Sequence, residues 1–346
     1  MKRVSPSKSV VRARKRQAEV KVCKSLKTQL LCCLVAMTAF QYPLKALVVA
    51  NFSAASNDRF ANNTGSFVGG AYDFSGVGRT ADGNWATRIG SNYFLSADHF
   101  HPSTGESVTF YNTNNPSGSS FSYTVAGGNK VSGTDFWVGY FDTAIHGSVK
   151  TYAWTKTPAN SVADTGLLGA TLLMMGKSAT ADATYGGGLI TDVAVGQNRL
   201  ESWFEQGTTT VPAPLVSIPY AAAGWDQMVL FQNTSADTFP WTALPSEGYM
   251  ETGDSGSPLF SISGSNLVLQ GVAWSAPSGL PGNFIDGPGD PPVADPLELR
   301  NASFYSYVGS YESGMNSAIA LVPEPSTFVL VALGAGLVFR RRNRRG

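Results

Sequence analysis

Short apolar runs, each broken by Gly, Asn, Ser or Pro, make up the chain from about residue 60 to residue 320. Runs of this length that are rich in β-branched and aromatic residues and end in turn-forming residues are typical of β-strands. Many short strands without a repeat of fixed period indicate an all-β fold, either a sandwich or a pair of barrels. The clearest runs predict strands over residues 107–111, 120–127, 136–141, 171–175, 228–231 and 267–274.

The segment from residue 302 to 320 has a different pattern. Its large apolar side chains recur at spacings of three and four, at Phe304, Val308, Tyr311 and Met315. This spacing places them on one face of a helix, so we predict a terminal helix over residues 302–320. Just before it, residues 276–296 are so rich in Gly and Pro that we predict a long surface loop.

The N-terminal region has the order of an export signal. A long basic stretch precedes the apolar run at residues 30–40, and Ala46 or Ala50 could each precede a cleavage site. We therefore predict a signal peptide over residues 1–50, removed by signal peptidase. The alternative is a disordered basic tail followed by a short buried helix. All three cysteines lie within this segment, so the exported body would have no disulfide and no thiolate chemistry.

The C-terminal region has three parts, which are a proline-punctuated break, an apolar run at 327–339 and a terminal arginine cluster. With Pro323-Glu324-Pro325 at its start, residues 322–346 resemble the PEP-CTERM sorting signal of bacterial exported proteins. The resemblance implies transient membrane association through this short segment, recognition by an exosortase-type enzyme, and delivery to the cell surface or its matrix. The alternative is a single-pass anchor, although the run is shorter than the ~20 residues that span a bilayer comfortably.

Charge is segregated along the chain. Of the 25 Lys and Arg residues, eleven precede Ala46 and five follow Phe339, which leaves nine in the body against 22 Asp and Glu residues. A body this acidic argues against nucleic acid or an anionic membrane as its partner.

The stretch Gly253-Asp254-Ser255-Gly256 is the strongest candidate for chemistry. A serine nucleophile needs a base, usually histidine, and a carboxylate that orients the imidazole ring. Of the three histidines, His99 follows an apolar run and small residues, at the point where a strand enters a loop. His101 could form a His-x-His metal pair, but no third ligand is identifiable, so we expect no metal.

Two aspartates compete for the role of orienting acid. Asp135 opens the apolar strand predicted at 136–141, where it would be shielded from water. Asp142 closes the same strand and is more typical of a turn residue. The residues alone favour Asp135 and leave Asp142 as its rival.

The order of His99, Asp135 and Gly-Asp-Ser-Gly resembles that of the trypsin/chymotrypsin-like serine protease family, from about Ala71 to Ala320. The resemblance implies two packed six-stranded antiparallel β-barrels with a C-terminal helix. In this chain the protease domain would span 51–320, with barrel one at about 66–150 and barrel two at about 165–300. The family needs no metal or organic cofactor for its hydrolysis.

The resemblance also implies individual roles. Ser255 would be the nucleophile, His99 the general base and Asp135 the orienting acid, while Asp254 would stabilise the loop through a charge partner. The backbone N–H groups of Gly253 and Ser255 would form the oxyanion hole. A hairpin turning at residues 263–266 would lead to the wall of the substrate pocket. Substrate-binding residues would be Tyr249, six positions before the nucleophile, and Ala273, Trp274 and Ser275 in the wall strand.

Some positions depart from the family pattern. Asp98 and Phe100 replace the usual neighbours of the base, Phe136-Trp137 follows the acid, and Ser257 stands where glycine is commoner. An Ile/Val-led activation motif has only a faint echo at residues 66–70. We therefore expect an exported serine endopeptidase acting on polypeptides. The alternatives are an inactive surface- or matrix-binding protein on the same scaffold, and a coincidental motif in a Gly/Ser-rich β-protein.

Overall fold

The computed structural model describes residues 47–61, 65–161, 163–178, 191–200, 202–204, 226–231, 244–275 and 302–322. All of them belong to the unit Lys45–Gly346. Residues 1–46 of the predicted signal segment 1–50, the predicted loop at 276–296 and the sorting tail beyond Val322 lie outside these ranges, whereas residues 47–50 are part of the folded body. Within them, no helix has the length and apolar character needed to cross a membrane.

The first half of the body is a closed antiparallel barrel. A short strand and a helical turn come before it: β1 (Val48–Val49) and α1 (Ala54–Asn57). The barrel consists of β2 (Val77–Arg79), β3 (Trp85–Arg88), β4 (Tyr93–Ala97), β5 (Ser107–Tyr111), β6 (Ser120–Lys130) and β7 (Phe136–Phe141). The strands pair in the order β2-β3-β4-β7-β6-β5 and back to β2, which confirms the expected six-stranded barrel.

The second half is a larger sheet built from the remaining strands. These are β8 (Ala153–Trp154), β9 (Thr171–Lys177), β10 (Val193–Arg199), β11 (Ser202–Phe204), β12 (Gln227–Phe231), β13 (Gly248–Tyr249), β14 (Pro258–Ser263), β15 (Asn266–Ser275) and β16 (Ala302–Tyr307). The order is β10-β9-β14-β15-β16-β12-β11, with β8 added beside β15, and β13 pairs separately with β1. The predicted turn at 263–266 is confirmed, because Ser263 pairs with Asn266 across it.

Chain connectivity curls this sheet into the second barrel. Its two edge strands, β10 and β11, are consecutive in the chain and are separated only by residues 200–201. Three residue steps span at most about 11 Å, so the opposite edges of the sheet must come together. β10 and β11 thus act as one interrupted strand, which gives six strand positions around the second barrel.

The prediction of a helix from residue 302 is wrong for its first part. Residues 302–307 form β16, which pairs with both β12 and β15. A single 3₁₀ turn follows at Gly309–Tyr311, and the helix, α2, spans Glu312–Ala320. Because residues 303–307 are all buried, the strand shows no alternation of apolar and polar positions, and the spacing from Phe304 to Tyr311 imitated a helical face.

One apolar core joins the two barrels. Its members include Phe74, Leu95 and Phe136 from the first half and Leu173 and Phe260 from the second. The Phe74 and Phe260 ring centroids lie 6.4 Å apart in an edge-to-face arrangement. This shared core fixes the end of β4 relative to the loop that precedes β14.

Candidate active site

Asp135 holds His99 at two points. Its Oδ2 lies 2.6 Å from the ring Nδ1 of His99, and its Oδ1 accepts the backbone N–H of His99 at 3.1 Å. The Asp135 side chain is 6% exposed, whereas that of His99 is 42% exposed. The carboxylate is therefore shielded from water, while the imidazole is partly exposed to solvent.

Strand pairing explains this contact. β4 and β7 are antiparallel neighbours with Ala97 opposite Phe136. The Asp98 N–H donates to the Asp135 carbonyl at 2.7 Å, which extends the ladder by one step beyond the two strands. His99 and Asp135, which are 36 positions apart in the chain, consequently leave the barrel side by side.

Asp142 lies at the other end of β7 and is exposed. Seven residues of extended chain separate it from Asp135, which corresponds to about 23 Å. Of the two aspartates that the sequence left open, only Asp135 is in contact with His99.

The segment Gly253–Gly256, here named the nucleophile loop after its candidate nucleophile Ser255, crosses to the first barrel at Gly256. A Cβ placed on Gly256 would lie 2.9 Å from Ser96 Oγ, 3.1 Å from the Phe100 carbonyl oxygen and 3.4 Å from the Ala97 nitrogen. Only a residue without a side chain allows this approach, and Gly256 also has a positive φ of 86°. The loop carrying Ser255 is thereby set against the segment that carries His99.

The loop that carries Ser255 lies against the segment that carries His99. Among the described residues, no hydrogen bond joins the Ser255 hydroxyl to the imidazole ring. Such contacts are often long in enzymes without substrate and shorten when substrate binds. Because Nδ1 faces Asp135, Nε2 is the ring nitrogen left to serve a nucleophile.

The backbone N–H groups of the loop divide into two sets. Those of Asp254, Gly256 and Ser257 donate to the carbonyls of Glu251, Ala273 and Asp254, at 3.0, 2.9 and 2.9 Å. In the described part of the chain, the N–H groups of Gly253 and Ser255 donate to none. These are the two donors expected to form the oxyanion hole, and Gly253 has a φ of 96° that a side chain would strain.

One of the predicted wall residues, Ala273, is hydrogen-bonded to the loop that carries Ser255. The Ala273 N–H donates to the Ser257 carbonyl at 2.8 Å, and Ala273 accepts from Gly256, so β15 is tied to the loop on both sides. Trp274 packs edge-to-face against Phe304, and Ser275 pairs with Phe304 in the register of β15 and β16. Tyr249 lies in β13, where burial and the charge of Glu251 raise its pKa.

Asp254 is fully buried beneath the loop. Its Oδ1 accepts the Lys177 N–H at 2.8 Å and its Oδ2 accepts the Glu251 N–H at 2.9 Å. Burial raises its pKa to about 7, although these two hydrogen bonds and the charges of Lys177 and Arg79 oppose the rise. The family resemblance predicts a charge partner for Asp254, but the sequence alone does not point to Lys177 or Arg79.

The other sequence candidates have packing roles. The His101 ring stacks on Trp137 at 3.9 Å and its Nδ1 lies 3.0 Å from the Pro102 carbonyl oxygen. In the faint activation motif at 66–70, the Val68 N–H donates to the Ser56 carbonyl and Phe67 is buried against Phe74. The motif lies within a folded turn of the chain rather than at a free terminus.

The family comparison identifies the end of the chain. Residues 321–345 match the model of the PEP-CTERM protein-sorting motif. The chain ends in a PEP-CTERM sorting signal. The protein is therefore exported and sorted to the cell surface, with processing by an exosortase-type enzyme.

The other comparisons are distant. No curated protein matches the chain. The solved structures that match include human heparin binding protein, at 11% identity and a TM-score of 0.43. That alignment covers 72% of this chain and 93% of the other.

Proposed function

We propose that this protein is an exported serine endopeptidase, with Ser255 as nucleophile, His99 as general base and Asp135 as orienting acid. The observation that carries the proposal is the two-point hold of Asp135 on His99, with the Gly253–Gly256 loop set against the same segment. Two unengaged N–H groups in that loop supply the remaining part of such a site. The arrangement draws on both barrels, as a cleft for a polypeptide requires.

The proposed reaction proceeds through an acyl-enzyme. Ser255 Oγ attacks the peptide carbonyl carbon while His99 Nε2 takes the hydroxyl proton, and Asp135 stabilises the resulting imidazolium. The N–H groups of Gly253 and Ser255 donate to the oxyanion. His99 then gives its proton to the departing amine, and water, activated by the same ring, hydrolyses the ester to free acid and Ser255.

A second candidate function is binding without catalysis on the same scaffold. The observation that favours it is the missing hydrogen bond between Ser255 and His99 among the described residues. In that case the cleft would hold a polypeptide at the cell surface, and β15 would supply its edge.

A fluorophosphonate probe distinguishes the two functions. We expect the purified exported protein to be labelled on Ser255, and the Ser255→Ala and His99→Ala variants to remain unlabelled. The neighbouring Ser257→Ala variant is the matched control and should still react. A folded protein that does not label, or that labels equally after Ser255→Ala, would favour the binding function.

A further inference from the structure

Three ionisable side chains lie buried together under the nucleophile loop. Asp254 is 0% exposed, Arg79 in β2 is 1% exposed and Lys177 at the end of β9 is 4% exposed. Removing a charge from water is costly unless an opposite charge or hydrogen bonds compensate it. The burial of two cations close to the fully buried Asp254 therefore requires an explanation in terms of what this carboxylate does.

The positions of the cations show which part of the loop they support. Lys177 Nζ lies 2.7 Å from the point that a Cβ on Gly253 would occupy. At the β2–β3 turn, Arg79 Nη2 lies 3.1 Å and Lys177 Cε 3.5 Å from the corresponding point on Gly83. Both cationic groups thus occupy the space between this turn and the nucleophile loop.

Arg79 is anchored independently of the loop. Its guanidinium stacks over Trp85 at 4.5 Å and donates to the Asp192 carbonyl at 2.6 Å. Lys177 is attached through its backbone, since its N–H donates to Asp254 Oδ1. Lys177 therefore meets the loop at two points, because its backbone N–H bonds the Asp254 carboxylate and its ammonium group lies beside Gly253.

We propose that Lys177, assisted by Arg79, is a built-in counter-ion that holds the nucleophile loop in its active conformation. Lys177 is then a positioning residue, acting through Asp254 and Gly253 on the N–H groups that face the oxyanion. This inference rests on the proposed peptidase function. It implies that the loop is ordered by cations from within the chain.

Leu47 is the competing source of positive charge. Its Cβ and Asp254 Oδ1 both lie 2.7 Å from the point that a Cβ on Gly176 would occupy, and its N–H donates to the Lys177 carbonyl. A chain cut immediately before Leu47 would have an ammonium group at this place. The two sources differ in whether activity depends on a free terminus or on the side chain of residue 177.

The first test compares Lys177→Met and Lys177→Arg with Lys150→Met, a control whose ammonium bonds the exposed Asn266 side chain. Loss of one oxyanion donor lowers kcat by about 10²–10³-fold, and we expect Lys177→Met to approach the lower figure with KM changed less than about twofold. Lys177→Arg should recover at least about a third of the activity. A Lys177→Met enzyme with kcat within about twofold of the unmodified protein would overturn the proposal.

The second test examines the terminus. Chains that begin at Leu47 and chains that keep extra residues before it should have the same kcat. A kcat more than about tenfold lower in the extended chain would assign the counter-ion role to the Leu47 ammonium and overturn the proposal.

A third measurement does not depend on catalysis. In a Ser255→Ala background, hydrogen exchange of the peptide covering residues 250–257 should be at least about tenfold faster after Lys177→Met and unchanged after Lys177→Arg. Unaltered exchange in the folded Lys177→Met protein would refute the positioning role. If the unmodified protein fails to label with fluorophosphonate, the proposed function fails, and this exchange measurement still decides the role of Lys177.

Discussion

Asp135 performs two tasks with its two oxygen atoms. One oxygen accepts the main-chain N–H of His99 and the other accepts from its ring, so the backbone and the imidazole are fixed by the same buried group. An acid that held only the ring would leave the loop after β4 free to move. The resulting ring orientation sets Nδ1 toward Asp135 and leaves Nε2 as the nitrogen available to act as the proposed base.

Replacing the acid tests the choice that the sequence left open. We expect Asp135→Asn to lower kcat by about 10³–10⁴-fold, because an amide at this position favours the wrong imidazole tautomer. Asp142→Asn, at the exposed end of the same strand, should leave kcat within about twofold. Steady-state kinetics on a cleaved peptide would decide, and the reverse ranking of the two variants would refute the assignment.

Asp254 should make stability depend on pH in an unusual direction. Burial raises its folded-state pKa from 3.8 to about 7, so the folded protein binds this proton more tightly than the unfolded chain. The stabilising contribution is complete below pH 3.8 and is lost as the pH rises through about 7. The groups facing the carboxylate are Lys177, Arg79 and Tyr305.

Urea denaturation at pH 5 to 8 would measure this effect. As the pH rises, we expect the free energy of unfolding of the protein to fall relative to that of its Asp254→Asn variant. The reason is that the carboxyl group titrates in this range and the amide does not. A difference that is constant across this range would show that Asp254 keeps one ionisation state throughout.

Local patterns in the sequence predicted His99 and Ser255, because each lies in a short motif that needs no knowledge of the fold. Asp135 required one further step, its place at the start of an apolar strand. Lys177 could not be predicted in this way. It ends an apolar strand 77 positions before Asp254, and only the pairing of β9 with β14 brings the two together.

At the level of elements, burial on both faces explains why β16 was predicted as a helix. β1 was missed for a different reason, because this two-residue strand falls inside the segment 1–50 that the sequence assigns to the signal; it pairs with β13, which precedes the nucleophile loop. Leu47 is 0% and Val49 6% exposed, so this short segment is part of the core. Its burial bears on the choice between the two candidate signal cleavage sites.

We predict that the mature chain begins no later than Leu47, which favours cleavage at Ala46 over cleavage at Ala50. Removing residues 47–50 would delete the buried side chains of Leu47 and Val49 and would lower the free energy of unfolding by about 3–6 kcal/mol. N-terminal sequencing of the exported protein gives the cleavage site directly. A mature terminus at Asn51, with stability equal to that of a chain beginning at Leu47, would contradict the prediction.

Substitutions at two glycines with positive φ distinguish the effect of backbone strain on stability from an effect on catalysis. Gly253 (φ 96°) lies in the nucleophile loop and Gly264 (φ 61°) in the β14–β15 turn, where nothing lies within 4 Å of an added Cβ. We expect Gly253→Ala to lower kcat by about 10²–10³-fold, because the Cβ would also displace Lys177 and tilt the N–H donor. Gly264→Ala should lower the melting temperature and leave kcat unchanged. Equal effects of the two changes on kcat would argue against a specific role for Gly253.

At the scale of the whole molecule, the candidate site is assembled from both halves and depends on their mutual packing. His99 and Asp135 come from the first barrel, and Ser255 comes from the second. The terminal segment returns to the first barrel, where Tyr311 packs edge-to-face on Phe136, next to Asp135. The strand pattern and the family resemblance predicted the barrel architecture. The contact of Tyr311 with Phe136 could not be predicted, because it depends on the register of β16.

The sorting signal begins where this packing ends. Val322, the last described residue, is 7% exposed, and the matched motif spans residues 321–345. We predict that surface protein lacks the residues beyond about Ser326 and keeps its melting temperature, because the removed part follows the last core residue. Mass spectrometry of the surface fraction would measure the mature mass. An intact arginine tail there would contradict removal.

Buried charges of the two signs balance, so the surface of the body keeps the acidic character of its composition. Among the described residues, four of the nine basic residues and four of the 22 acidic residues of the body are buried, namely Arg59, Arg79, Arg88, Lys177, Asp135, Glu247, Glu251 and Asp254. The outward-facing charge is therefore dominated by carboxylates. Anionic polymers are repelled from such a surface at a distance, whereas cationic polypeptides are drawn toward it before any pocket is engaged. The pairing of buried charges of both signs thus leaves the acidity of the surface in place, and this acidity affects which molecules in the cell's surroundings approach the protein.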